Sequence, residues 1–230
     1  MKMTSVLIST LTLLIFSAAS AATISGKIAL KKKNGDKVAD TSNVVVFLDG
    51  LKDPSLPKPT TPAAIVQKDK MYVPSVLPVM VGMDVDFPNE DTIMHNVFSK
   101  SKAKDFDLGL YKKGSKKTVR FDKAGLVKIY CNIHEKMVAF ILVLDNPYYT
   151  VTDKDGNFKI DNLPNGKYQL AAWGRFSEIQ RKDIEIKNNG SEIRVDLNLV
   201  KGDEVGMDLV EKEVDDKHLN KWGEPYKAKY

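Results

Sequence analysis

The chain has 230 residues, 43% hydrophobic and 28% charged, with a formal net charge of +5 and a single cysteine. One cysteine excludes an internal disulfide framework. Lysines interspersed with acids read as a solvated surface rather than a nucleic-acid footprint, although a mildly basic face can still draw an acidic partner by long-range attraction.

Residues 1–21 read as a secretory signal. Lys2 gives a positive start, Val6 to Phe16 is an apolar run too short to span a bilayer comfortably, and Ala19-Ser20-Ala21 is a small-residue cleavage site. The alternative is an uncleaved anchor. Cleavage before Ala22 or Thr23 leaves about 209 residues with a charge of +4. No cysteine follows the apolar run to carry a lipid, and no later window is apolar enough to cross a membrane. The expectation is an exported protein, in a periplasm or freely secreted.

From residue 23 to about 200, short runs rich in Val, Ile, Phe and Tyr alternate with Gly, Asn, Asp and Pro clusters, the signature of closely spaced strands. Expected strands are Asn43 to Leu48, Met83 to Phe87, Lys117 to Phe121, Val127 to Tyr130, Ala139 to Leu144, Asn157 to Ile160, Lys167 to Ala172 and Glu192 to Leu199. Turns fall at Asn34-Gly35, Lys123-Ala124-Gly125, Asp155-Gly156 and Asn165-Gly166. The fold class is all-β, and the length favours two sandwiches over one. Asp153-Lys154-Asp155-Gly156 lacks the spaced ligands and distal Glu of a calcium loop and reads as a β-turn. Residues 201–230 form a charged, weakly patterned tail.

The segment 63–145 carries the chemistry. Tyr130-Cys131-Asn132-Ile133-His134-Glu135-Lys136-Met137 is a Cys-x2-His-x2-Met loop between two apolar stretches, and His95 lies upstream beyond the polar turn Asn89 to Thr92. One thiolate, two imidazoles and a thioether are the ligand set of a mononuclear blue-copper site, a trigonal His2Cys plane with a weak axial Met. Zinc accepts Cys and His but seldom a thioether. The expected ligands of one copper ion are therefore His95, Cys131, His134 and Met137. Met80, Met83 and Met94 read as packing residues, Met94 being also a candidate to line the site.

The order Gly82, Phe87, Asn89, Asp91, His95-Asn96, Gly125, Tyr130-Cys131, His134, Met137 resembles the cupredoxin family, its plastocyanin- and amicyanin-like members most of all, over about 80 residues. The resemblance implies a Greek-key sandwich and an electron carrier. It also implies that Asn96 hydrogen-bonds across to the ligand loop, and that His134 exposes a ring edge where the electron leaves. One departure stands out: prolines flank the loop histidine in the amicyanin-like pattern, whereas Ile133 and Glu135 do so here.

A second resemblance brackets the first. Thr150 to Leu170 is similar to the second half of a carboxypeptidase regulatory-like, prealbumin-type sandwich, and Ile24 to Ile28, Asn34 to Asp40 and Asn43 to Phe47 look like its first half. Residues 23–52 together with 146–200 would then form one sandwich, with the copper unit inserted. A tandem arrangement, in which 23–52 supplies the first cupredoxin strands, is the alternative.

Three histidines in all leave only His218 beyond the pair in the motif, too few for a catalytic copper centre, and no hydrolase triad or nucleotide-binding loop occurs. The expectation is a non-enzymatic, one-electron copper carrier serving redox protein partners. A copper carrier or sequestering protein, or an envelope binding module, is the alternative.

Overall fold

Val44-Val45-Val46-Phe47-Leu48 is apolar at successive positions, which suits a strand covered on both faces. The computed structural model shows what covers them. It describes residues 22–201 apart from 53–55, 58–59, 61, 176, 188–191 and 195. The expected signal segment and nearly all of the expected tail lie outside the described residues.

Among the described residues there is no helix. The strands run β1 Ala22–Lys32, β2 Val44–Asp49, β3 Ala63–Ala64, β4 Val66–Lys68, β5 Met71–Val73, β6 Val76–Met80, β7 Met83–Pro88, β8 His95–Ser101 and β9 Lys104–Tyr111. They continue with β10 Lys116–Phe121, β11 Gly125–Tyr130, β12 Val138–Leu144, β13 Tyr149–Val151, β14 Asn157–Leu163, β15 Gly166–Gly174, β16 Gln180–Ile186, β17 Glu192–Arg194 and β18 Leu197–Lys201.

Two sandwiches result. In one, a sheet ordered β14-β1-β17, with β18 also on β1, faces a sheet ordered β13-β2-β15-β16. Thus β1 pairs with β14, β17 and β18, and β2 with β13 and β15, all downstream of residue 148. In the other, β6-β12-β11-β8-β9 faces β10-β7-β3, the crossed-over order of a Greek key. A small hairpin, β4–β5, stands beside it. The expected strand Glu192 to Leu199 is two strands, and the run Ile65 to Tyr72 is this hairpin, turning at Asp69-Lys70. Both turn residues have left-handed backbones, φ 53° and 57°, as a two-residue hairpin turn of the primed type requires.

Strand alternation explains the layering. Val44, Val46 and Leu48 enter the core of the first sandwich with Ile24, Ile160, Leu163 and Leu170, while Val45 and Phe47 point the other way. Ala139, Ile141 and Val143 of β12 enter the core of the second with Val85, Phe87, Val97, Phe121 and Ile129. Their neighbours Phe140, Leu142 and Leu144 meet Val45, Phe47, Ala171 and Trp173 in a third apolar layer. The four sheets are thereby stacked, and the inner strands read as unbroken apolar runs because both faces are covered.

Gly156 shows how tightly a turn locks onto its neighbour. Its φ is +83°, and a Cβ there would lie 2.3 Å from the Ile28 carbonyl oxygen, which the backbone cannot yield. The turn before it closes on Asp153, whose carboxylate accepts the Asp155 and Asn157 amides at 2.9 Å each.

Candidate metal centre

His95 opens β8, Cys131 follows directly on β11, and His134 sits in the loop that returns as β12. The loop turns tightly enough for the Met137 amide to reach the His134 carbonyl at 2.9 Å, which places Met137 back in the core beside Cys131. Cys131 and Met137 are buried, His95 is fully buried and His134 half-buried. Alternation along the chain turns Met94 outward, where it is 54% exposed. That corrects the expectation that it packs inside. Met80 is buried as expected, and the Met83 sulfur accepts the Met80 amide at 3.3 Å.

His95 Nδ1 lies 3.1 Å from His134 Nδ1, and each lies 3.9 Å from Cys131 Sγ. These three residues form a cluster able to hold a metal ion. A point equidistant from the three atoms is about 2.1 Å from each, against bond lengths of about 2.0–2.1 Å to imidazole nitrogen and about 2.3 Å to thiolate sulfur. The donor triangle therefore has the size a transition ion needs.

The tautomers fit as well. Asp91 Oδ2 lies 2.6 Å from His95 Nε2. An ionised carboxylate only accepts, so Nε2 carries the proton and Nδ1 turns a lone pair toward Cys131 and His134. Burial pushes the Asp91 carboxyl upward, but hydrogen bonds from the Lys70 amide, His95 and the Asp69 amide outweigh it and hold the group below the usual carboxylate range. His134 is pushed below the usual imidazole range by burial, then by His95 and Lys70. It is neutral near pH 7 and free to ligate.

A hydrogen-bonded frame surrounds these donors. Asn96 Oδ1 accepts the Asn132 amide at 2.7 Å, and its Nδ2 points to Asp107 Oδ1 at 3.4 Å. β8 and β11 register at Phe98 opposite Tyr130. Toward the His-Cys-His cluster the Asn96 and Tyr130 carbonyls are instead shared by the buried Tyr72 hydroxyl, 2.9 Å from both. Burial, then the neighbouring Cys131 and Tyr111, raise the Tyr72 phenol far above its ordinary value and keep it a donor. Asn89 closes the loop before His95: its Nδ2 donates to the Ile93 and Tyr111 carbonyls at 3.0 Å and its Oδ1 accepts the Asp91 amide at 2.9 Å.

Sequence reasoning missed two members of this frame. Asp91 as the partner of His95 had a weak signal, an acid four residues before a histidine in a polar turn. Tyr72 had none, because its partners come from two other strands.

No protein-family model matches the chain, and no curated protein matches it. Among solved structures, a purple cupredoxin from Nitrosopumilus maritimus is 26% identical, covering 36% of this chain and 99% of its own, with a TM-score of 0.33. A Cu-containing nitrite reductase from Thermus scotoductus SA-01 is 22% identical over 41% of this chain and 25% of that one, TM-score 0.35. A reduced amicyanin is 18% identical over 43% of this chain and 98% of its own, TM-score 0.35.

Proposed function

We propose that this chain is an exported type 1 copper protein that carries single electrons between redox protein partners. One observation carries the reading: His95 Nδ1, His134 Nδ1 and Cys131 Sγ converge within 3.9 Å of one another, with Met137 buried alongside. Copper bound there supplies a one-electron couple. His95, Cys131 and His134 would hold it in a plane, and Met137 would be the weak axial donor that tunes potential more than affinity. Asn96 and Tyr72 fix the strands that present the ligands, and a frame so tied limits rearrangement between oxidation states.

His134, half-buried, is the path outward. The surrounding segments carry exposed apolar side chains, Met71 and Val73 on β5, Ile93 and Met94 before His95, and Ile133 in the ligand loop. A redox protein docking on this end would reach the imidazole edge. With His218 the sole histidine left over, the sequence supports a carrier rather than a copper enzyme. The signal-like residues 1–21 support export, with a periplasm as the compartment. The pairing of β1 with β14, β17 and β18, and of β2 with β13 and β15, supports reading the copper unit as an insertion into the first sandwich.

Copper titration of the mature chain, followed optically and by voltammetry, tests the reading. The expected result is an intense thiolate-to-copper band in the visible at one ion per chain, with a reversible one-electron couple. Copper held only as Cu(I), without a stable coloured form, would instead mark a copper-delivery protein.

A further inference from the structure

Asp91 occupies a junction that ligand chemistry alone does not require. Its carboxylate accepts three hydrogen bonds from three residues, and its own backbone amide donates a fourth. Oδ2 takes His95 Nε2–H at 2.6 Å and the Lys70 amide at 2.9 Å, Oδ1 takes the Asp69 amide at 2.6 Å, and the Asp91 backbone amide is held by Asn89 Oδ1 at 2.9 Å. The side chain is only 12% exposed and that of His95 is 0%. A neutral carbonyl acceptor would suffice to orient the ring. A full negative charge 2.6 Å behind it does more: it polarises the imidazole, strengthens Nδ1 as a donor, and places an anion where the charge of the metal is felt.

The same oxygens clasp the Asp69-Lys70 turn. Two consecutive non-glycine residues in the left-handed region are strained. Both of their amides point at this carboxylate.

We infer that Asp91 is a positioning residue for the copper reaction: it fixes the His95 tautomer and ring, and its charge lowers the reduction potential by favouring the more positive ion. This rests on the copper reading above. The hairpin clasp is a separate, structural duty of the same side chain, so the test has to part the two.

Asp91→Asn keeps an acceptor and removes the charge; Asp91→Ala removes both. Each is made in the full mature chain and again in an Asp69→Asn/Lys70→Gly background, whose turn residues adopt the left-handed conformation readily and do not need the clasp. Cu(II) is the probe. The expected result is a higher potential in both Asp91 variants and a 10–100-fold weaker copper affinity in the Ala form, with the same shifts in the relieved-turn background. In the metal-free protein, imidazole nitrogen shifts should show His95 protonated at Nε2 in the wild type and in Asp91→Asn, and a tautomer mixture in Asp91→Ala.

A blue site whose potential is unchanged in Asp91→Asn overturns the inference while leaving the copper reading intact. So does a shift that vanishes once the turn is relieved. A wild-type chain that takes up no copper sinks the copper reading instead, and a His95 tautomer unmoved in the metal-free Ala form then removes the positioning role too.

Discussion

Asn96 and Asn132 are joined across 36 residues of sequence by a 2.7 Å hydrogen bond from the Asn132 amide to the Asn96 side-chain oxygen. The bond ties the first residue of the ligand loop to the strand that carries His95. Asn96 is buried, so removing its amide leaves the Asn132 N–H without its acceptor. Asn96→Ala should cost about 1–3 kcal/mol of stability and loosen copper binding while leaving the ligands in place. Denaturant melts and copper competition check this; an unchanged midpoint and affinity would show that the bond is idle.

Cys131→Ser exchanges sulfur for oxygen in a buried site of nearly the same shape. The chain should fold and the visible copper band should vanish, because only the thiolate supplies that transition. Absorption and far-ultraviolet circular dichroism on one sample decide it. Colour surviving the exchange would mean the thiolate is not a ligand.

Met137→Leu keeps an apolar side chain of similar volume in the core. Copper should be retained and the potential should rise, since a weak donor that favours Cu(II) is gone. Voltammetry measures the shift, and complete loss of copper would contradict an axial role.

Trp173 stands edge-on to Phe140, with ring centroids 5.6 Å apart, in the layer between the sandwiches. Trp173→Ala should lower stability by about 3–5 kcal/mol and leave the copper spectrum unchanged, because the layer touches the face of β12 opposite the site core. A spectrum altered without loss of stability would argue that this layer tunes the site instead of holding the sandwiches together.

Acid should unfold the metal-free chain in two stages. His134 is lowered in the folded state, so folding binds fewer protons there, and stability declines as pH falls below about 6.5. Asp86 is lowered by its hydrogen bonds from Lys116 and Thr118, and Asp91 is lowered too. Their contribution is present above about pH 3.9 and is lost as pH falls through their folded values. Urea midpoints at pH 7, 5 and 3 should fall in that order, and Asp86→Asn should flatten the last step. Equal midpoints at pH 5 and 3 would refute the second stage.

Much of the centre was legible in one dimension. Cys131, His134 and Met137 share a loop short enough that covalent geometry keeps them together, so their spacing announced a ligand set whatever the rest of the chain did. Strand positions were legible for the same reason: side-chain alternation and turn residues act over a few residues. The unbroken apolar runs of β2 and β12 announced burial on both faces but not what lay against them.

Other features waited for three dimensions. His95 reaches Cys131 because β8 and β11 share a sheet. Tyr72 joins the site because a hairpin folds over its edge. Met94 faces outward although it adjoins the buried His95. Each depends on which distant strands pair and in what register, and a one-residue slip would turn every side chain to the opposite face. Local spacing is set by bonds along the chain, whereas convergence is set by the burial of apolar faces summed over whole sheets, a quantity no short window of residues contains.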